Sequence, residues 1–121
     1  MAGSKQVGSD SFFLTRTAAL DLRNIHARSL REWGKEIADA YLADLYSVIQ
    51  KVVANPELGR LRHHRSAPFL MVPARKHFLI YDCIPEGIAI LTVQHQVRDI
   101  ETLMGTLTPA FYAEVERLKK I

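Results

Sequence analysis

Six side chains in the second half of the sequence carry groups able to move protons or hold phosphate: Arg65, Arg75, His77, Tyr81, His95 and Arg98. Histidine exchanges a proton near neutral pH, and arginine clamps a phosphate through two parallel hydrogen bonds. Together they would suffice for metal-free RNA cleavage through the ribose 2′-hydroxyl. That reaction needs a base to activate the oxygen, cations for the developing charge and an acid for the leaving group. Taken singly, His77 and His95 also fit a plainer role as strand ends that hydrogen-bond locally. Around these residues, Arg60 to Tyr81 is a basic stretch without acids, holding Arg60, Arg62, Arg65, Arg75 and Lys76 with His63, His64 and His77. Such a stretch suits a polyanion, either nucleic-acid phosphates or an acidic protein. It suits equally a solvated loop and strand edge, where cations discourage edge-to-edge aggregation.

Other chemistries find little support. With one cysteine and no paired Cys/His spacing, the sequence carries no zinc signature. Adjacent His63 and His64 would point to opposite faces of a strand and could not share a metal. Neither a phosphate-cradling glycine loop nor a glycine-flanked nucleophilic serine is present. No cofactor or metal is therefore expected. Cys83 is expected to be a buried small hydrophobe, and a lone cysteine fits a reducing cytoplasm.

The 121 residues are 48% apolar and 24% charged with a formal net charge of +3, an ordinary composition for a soluble chain with a single core. No apolar run reaches the roughly eighteen residues of a membrane span, and residues 1–10 lack a signal-peptide core. Residues 1–10 read as a flexible leader and residues 11–121 as one domain.

The elements that must position the candidate residues follow from periodicity. Residues 17–55 read as an αα-hairpin turning at Trp33-Gly34. One helix carries Ala18, Leu22, Ile25, Leu30 and Trp33; the other carries Ile37, Tyr41, Leu45, Ile49 and Val52/Val53 at helical spacing. Thr15 or Thr17 can cap the first helix, and Pro56 stops the second. Before the hairpin, Phe12–Thr15 reads as a short strand able to join a sheet edge. After Gly59 the chain reads as basic and irregular, then as strands over Pro68–Val72, ended by Pro73, and over His77–Asp82. A type I turn at Ile84-Pro85-Glu86-Gly87 leads into the strand Ile88–Gln94, apolar on both faces like one covered on each side. These three strands form an antiparallel meander. Strict alternation puts His77, Leu79, Tyr81 and Cys83 on one face, Phe78 and Ile80 on the other, and Ala89, Leu91, Val93 and His95 together. Periodicity does not tell which face meets the helices. A last helix opens with Thr108 as cap and Pro109, and its Phe111, Val115 and Leu118 are expected to pack on the domain. Helices followed by strands make this an α+β fold.

In this order the features resemble the RelE/ParE toxin superfamily of type II toxin–antitoxin modules, and the ParE branch above all. The resemblance runs over roughly residues 11–104. It is carried by Leu14-Thr15 before Ala18-x-x-Asp21-Leu22-x-x-Ile25, and by Trp33-Gly34-x-x-x-Ala38-x-x-Tyr41-x-x-x-Leu45. Asn55-Pro56-x-x-Gly59, Lys76–Tyr81, Ile88-x-Ile90-Leu91-x-Val93-x-His95 and Arg98-Asp99-Ile100 complete it. The resemblance implies an N-terminal strand and αα-hairpin packed on a small antiparallel sheet. It implies a cytoplasmic toxin, neutralised by a cognate antitoxin and touching DNA only through that complex, with no membrane partner. ParE-like members poison DNA gyrase, causing growth arrest and serving plasmid stabilisation; RelE-like members cut mRNA on the ribosome. The Val93–Asp99 ending is similar to ParE-like sequences and favours a non-enzymatic gyrase inhibitor. The alternative is a metal-independent, ribosome-dependent endoribonuclease using Arg65, Arg75, His77, Tyr81, His95 and Arg98. On the inhibitor reading no residue is catalytic, and Arg60, Arg62, Arg65, Arg75, Lys76 and Arg98 are the contacts to target or antitoxin.

Overall fold

Residues 12–64, 67–96 and 109–119 are described by a computed structural model of the chain. The expected leader, Arg65, Arg98 and the expected cap Thr108 lie outside them. In chain order the elements are β1 (Phe12–Leu14), α1 (Arg16–Trp33), α2 (Lys35–Ala54), a 3₁₀ turn (Pro56–Leu58), β2 (Arg60–His64), β3 (Ala67–Ala74), β4 (His77–Ile84), β5 (Gly87–His95) and α3 (Pro109–Lys119).

The hairpin forms as its periodicity dictates, because each end has a local cause. Thr15 accepts the amide hydrogen bond of Ala18 at 3.0 Å, and its hydroxyl donates to the Leu91 carbonyl at 2.7 Å, so one fully buried residue both starts α1 and ties it to β5. Gly34, at φ 88°, sits in the positive-φ region at the junction, where glycine is favoured. Across the hairpin His26 pairs with Asp39 at 2.8 Å, and Lys35 reaches the same carboxylate at 2.6 Å. The Lys35 hydrogen bond, then that of His26, holds the Asp39 carboxyl below its ordinary range.

The sheet has the order β1-β5-β4-β3-β2; β1 runs parallel to β5 and every other pair is antiparallel. The expected antiparallel sheet is therefore mixed, and its meander has a further strand. The stretch after Gly59, read as irregular, forms β2 because Leu61 and its neighbours pair with Phe69–Met71. Pro73 does not end β3: it lies past the last β2 pair, where no ladder amide is needed on that side.

Two cores flank the sheet. On one face Leu22, Leu45, Ile49 and Val52 pack on Val72, Leu79, Tyr81, Ile90 and Val93; on the other, Phe111 of α3 covers Phe69, Ile80, Ile84 and Leu91. Burial of β5 on both faces follows, as its unbroken apolar run requires. A bulge corrects the alternation along β5: Ile80 pairs with Thr92 but Tyr81 with Ile90, so Leu91 is extra. Ala89 and Leu91 consequently face α3, whereas Val93 joins the hairpin side. The Asp21 carboxylate accepts from the Thr92 hydroxyl and from the Val93 amide at 3.0 Å, satisfying β5 where short β1 has run out. Glu114 of α3 accepts the Arg16 amide through both carboxylate oxygens, at 3.1 and 3.2 Å, supplying the acidic group that the first turn of α1 lacks.

Expectations about the burial of four residues are corrected. Cys83 is exposed, at the Asp82 side of β4; partial desolvation of its sulfur and the Asp82 carboxylate push its thiol up, away from nucleophilic character. Ile37, with 53% of its surface exposed, does not belong to the buried stripe of α2, where Ala38 takes that place. Leu30 and Trp33 are likewise 40% and 64% exposed. Leu30, Trp33 and Ile37 sit at the hairpin tip, past the residues that reach the sheet-facing core.

Candidate functional site

The β3–β4 connection is a two-residue turn, Arg75-Lys76, and its first residue carries φ 57°. A side chain in that region is held there only where its surroundings over-determine it, and such strain gathers at functional sites. Here the surroundings are explicit. Gln96 donates its side-chain amide to the Arg75 and His77 carbonyls at 3.0 and 3.1 Å, and its backbone amide to the Lys76 carbonyl at 2.9 Å. From α2, Asp44 pairs with the Arg75 guanidinium at 3.1 Å, which lies 5.2 Å over the Tyr41 ring.

Tyr41 also joins turn and strand. Its hydroxyl accepts the Lys76 amide at 3.1 Å and lies 2.7 Å from His77 Nδ1. With its oxygen already accepting, the hydroxyl can donate its proton to Nδ1, which places the histidine's own proton on Nε2. The neutral ring is favoured further: partial burial, then the charges of His95 and Arg28, lower the His77 pKa to about 4. His95 stands opposite it on β5, ring centroids 5.1 Å apart at 69°.

These residues form one wall of an open cleft of about 730 Å³. The opposite wall is α1 and the hairpin tip, with Asn24, Arg28, Arg31, Glu32, Trp33 and Ile37. Four of the residues singled out from the sequence therefore meet: Arg75, Lys76, His77 and His95. Tyr81 does not join them. Its side chain is wholly buried under the hairpin, where its hydroxyl accepts the Gly59 amide at 2.7 Å and donates to the Pro56 carbonyl at 2.8 Å. Burial pushes its phenol up, favouring the protonated hydroxyl that makes these two bonds. Gly59 has to be glycine there, because a Cβ would lie 2.6 Å from the tyrosine oxygen. The face carrying His77 and Tyr81 is thus open only at the His77 end.

Arg60 and Arg62 also stand apart. On edge strand β2 they pair with Met71 and Phe69, and cross-strand partners share a face, so they lie on the α3 side. Arg65 and Arg98 fall outside the described residues. Sequence reasoning missed Arg28, Trp33 and Gln96 as site residues, and gave Tyr41 only a packing role. Only the lone tryptophan beside Gly34 carried a signal, and it was absorbed into the apolar run. Among the described residues no group of three or more His, Cys, Asp or Glu could hold a metal, and no helix is long and apolar enough to cross a membrane. Chemically the cleft offers fixed cations, a neutral histidine, aromatic faces and exposed apolar surface.

Residues 12–100 match the family model described as ParE toxin of type II toxin-antitoxin system, parDE. Toxin ParE1 of Mycobacterium tuberculosis is 30% identical over 94 residues, spanning 77% of this chain and 96% of that protein, in strain CDC 1551 / Oshkosh and equally in strain ATCC 25618 / H37Rv. Among solved structures, a chain of the chromosomal ParDE TA system from P. aeruginosa superposes with a TM-score of 0.62 at 19% identity, over 74% of this chain and 98% of that one. That likeness concerns the fold; α3 lies beyond the stretch matched by the family model.

Proposed function

The chain belongs to the ParE toxin family of type II toxin–antitoxin systems, and we propose that it is a cytoplasmic toxin that binds DNA gyrase, stalls replication and is neutralised by a cognate antitoxin. Residues 11–121 act as one unit in this reading. The supporting observation is the state of Tyr81 and His77. One is buried with its hydroxyl fully engaged, and the other is held neutral between Tyr41 and His95. An acid–base machine needs both groups reachable by substrate, whereas a protein-binding inhibitor needs only a shaped, charged surface. Arg75 and Lys76 are then contacts to a protein, and Arg60 and Arg62 belong to a separate patch.

The test is purified protein with gyrase, relaxed plasmid and ATP, scoring supercoiling and trapped DNA cleavage. Inhibition reversed by excess antitoxin is the expected result. Unaffected gyrase, with the protein shown to be folded, would refute the target. One observation favours a second reading, ribosome-dependent mRNA cleavage: His77 and His95 lie together beside Arg75. That reading requires translation-dependent cleavage that weakens in Arg75→Ala and His95→Ala.

A further inference from the structure

Two-residue connections between antiparallel strands favour glycine, asparagine or aspartate, because at least one central residue needs positive φ. Here Ala74 pairs with His77, and the connection is Arg75-Lys76 with the arginine at φ 57°. An arginine is strained there where glycine would not be, and the strain is met by contacts that a hairpin turn does not ordinarily require. The carbonyls of Arg75, Lys76 and His77 all accept from Gln96, and the Lys76 amide donates to the Tyr41 hydroxyl. The turn's backbone is thereby held from the sheet by the residue after β5 and from the hairpin by α2. Its two side chains remain outside. Lys76 is exposed, and the Arg75 side chain keeps 56% of its surface in water even with Asp44 and the Tyr41 ring against it. Two cations on an immobilised backbone make a contact that loses little freedom on binding.

We propose that the Arg75-Lys76 turn reads carboxylates on the target protein, and that Gln96 and Tyr41 are positioning residues holding it in a conformation its own sequence disfavours. This rests on the gyrase reading above and adds which element makes the contact and what keeps that element in shape. Nucleic acid suits the turn less well. A phosphate track needs a row of cations, and Asp44 already shares one of these two.

The experiment measures supercoiling inhibition with purified gyrase, relaxed plasmid and ATP, each variant being shown by circular dichroism to be folded at the assay temperature. Gln96→Met keeps the side chain's length and removes its donor; Tyr41→Phe keeps the ring under Arg75 and removes the acceptor. Each should raise the concentration for half-inhibition about fivefold, the equivalent of one lost hydrogen bond. Arg75→Gly and Lys76→Glu should each raise it about tenfold. Glycine adopts φ 57° without a clamp, so adding Gln96→Met to Arg75→Gly should cost less than about twofold more. A purely structural clamp would lower the melting temperature and leave inhibition by the folded variants unchanged. Wild-type inhibition by both Gln96→Met and Tyr41→Phe therefore overturns the positioning role. An equal loss from Gln96→Met in either background overturns it too, by making Gln96 itself a contact. Undiminished inhibition by Arg75→Gly and Lys76→Glu removes the turn from the contact. Each of these results leaves the gyrase reading standing. Gyrase unaffected by the wild-type chain refutes that reading, and the proposal with it. Plasmid alone retarded on a gel by the wild-type chain and not by Lys76→Glu would make the turn a nucleic-acid contact, which also overturns the proposal.

Discussion

Tyr81→Phe separates a structural tyrosine from a catalytic one. The substitution keeps the ring and its packing under α2 and deletes one oxygen, which accepts the Gly59 amide and donates to the Pro56 carbonyl. Each such bond is worth roughly 1 kcal/mol net, and a partner left unsatisfied in a partly buried place costs somewhat more, for a total of about 2–3 kcal/mol. With an unfolding entropy of about 0.25 kcal/mol/K for a chain of this size, the melting temperature should fall by roughly 8–12 °C. Urea denaturation followed by circular dichroism should show a lower midpoint with an unchanged slope, because the surface exposed on unfolding is the same. Well below its melting temperature the variant should still bind antitoxin and still act on its target. A loss under about 0.5 kcal/mol would refute the anchoring role of the hydroxyl. Wild-type stability with abolished activity would be the deeper refutation, since it would make Tyr81 a reacting group.

Three further outcomes follow from the packing. Leu45→Ala, at a fully buried site between the hairpin and the sheet, should cost about 2–5 kcal/mol in denaturant and remove activity through unfolding; lost activity at unchanged melting temperature would contradict the hairpin core. Stability should fall as pH drops from the ordinary histidine value near 6.5 towards about 4, because the unfolded chain takes up a proton that folded His77 refuses. Full linkage would be roughly 3 kcal/mol, and the ring's partial solvent access reduces this to about 1–2 kcal/mol; His77→Asn should flatten that part of the profile. Glu114→Ala should destabilise by about 0.5–2 kcal/mol, in a manner weakened by salt, as a lost helix N-terminal acceptor would; no change in the urea midpoint would mean that α3 does not cap α1.

What was legible in the sequence is what short-range physics decides. Gly34 and Thr15 bound the helices through local conformation and a local hydrogen bond, and the uninterrupted apolar run of β5 required cover on both faces. What was not legible depends on a partner element far along the chain. Alternation has a period of two and cannot register the single extra residue at Leu91, yet that residue decides whether Val93 faces the hairpin or α3. Likewise β2 exists because β3 offers it a ladder, and Leu61 does not announce this alone. The hairpin tip is the most consequential case. Helical spacing tells which side of α1 and α2 is apolar, but only the extent of the opposing sheet tells how much of that side is covered. The sheet covers Leu22 and Leu45 and stops short of Trp33 and Ile37. Those residues continue the apolar side into water. The apolar excess and the strained, clamped Arg75 border one cleft.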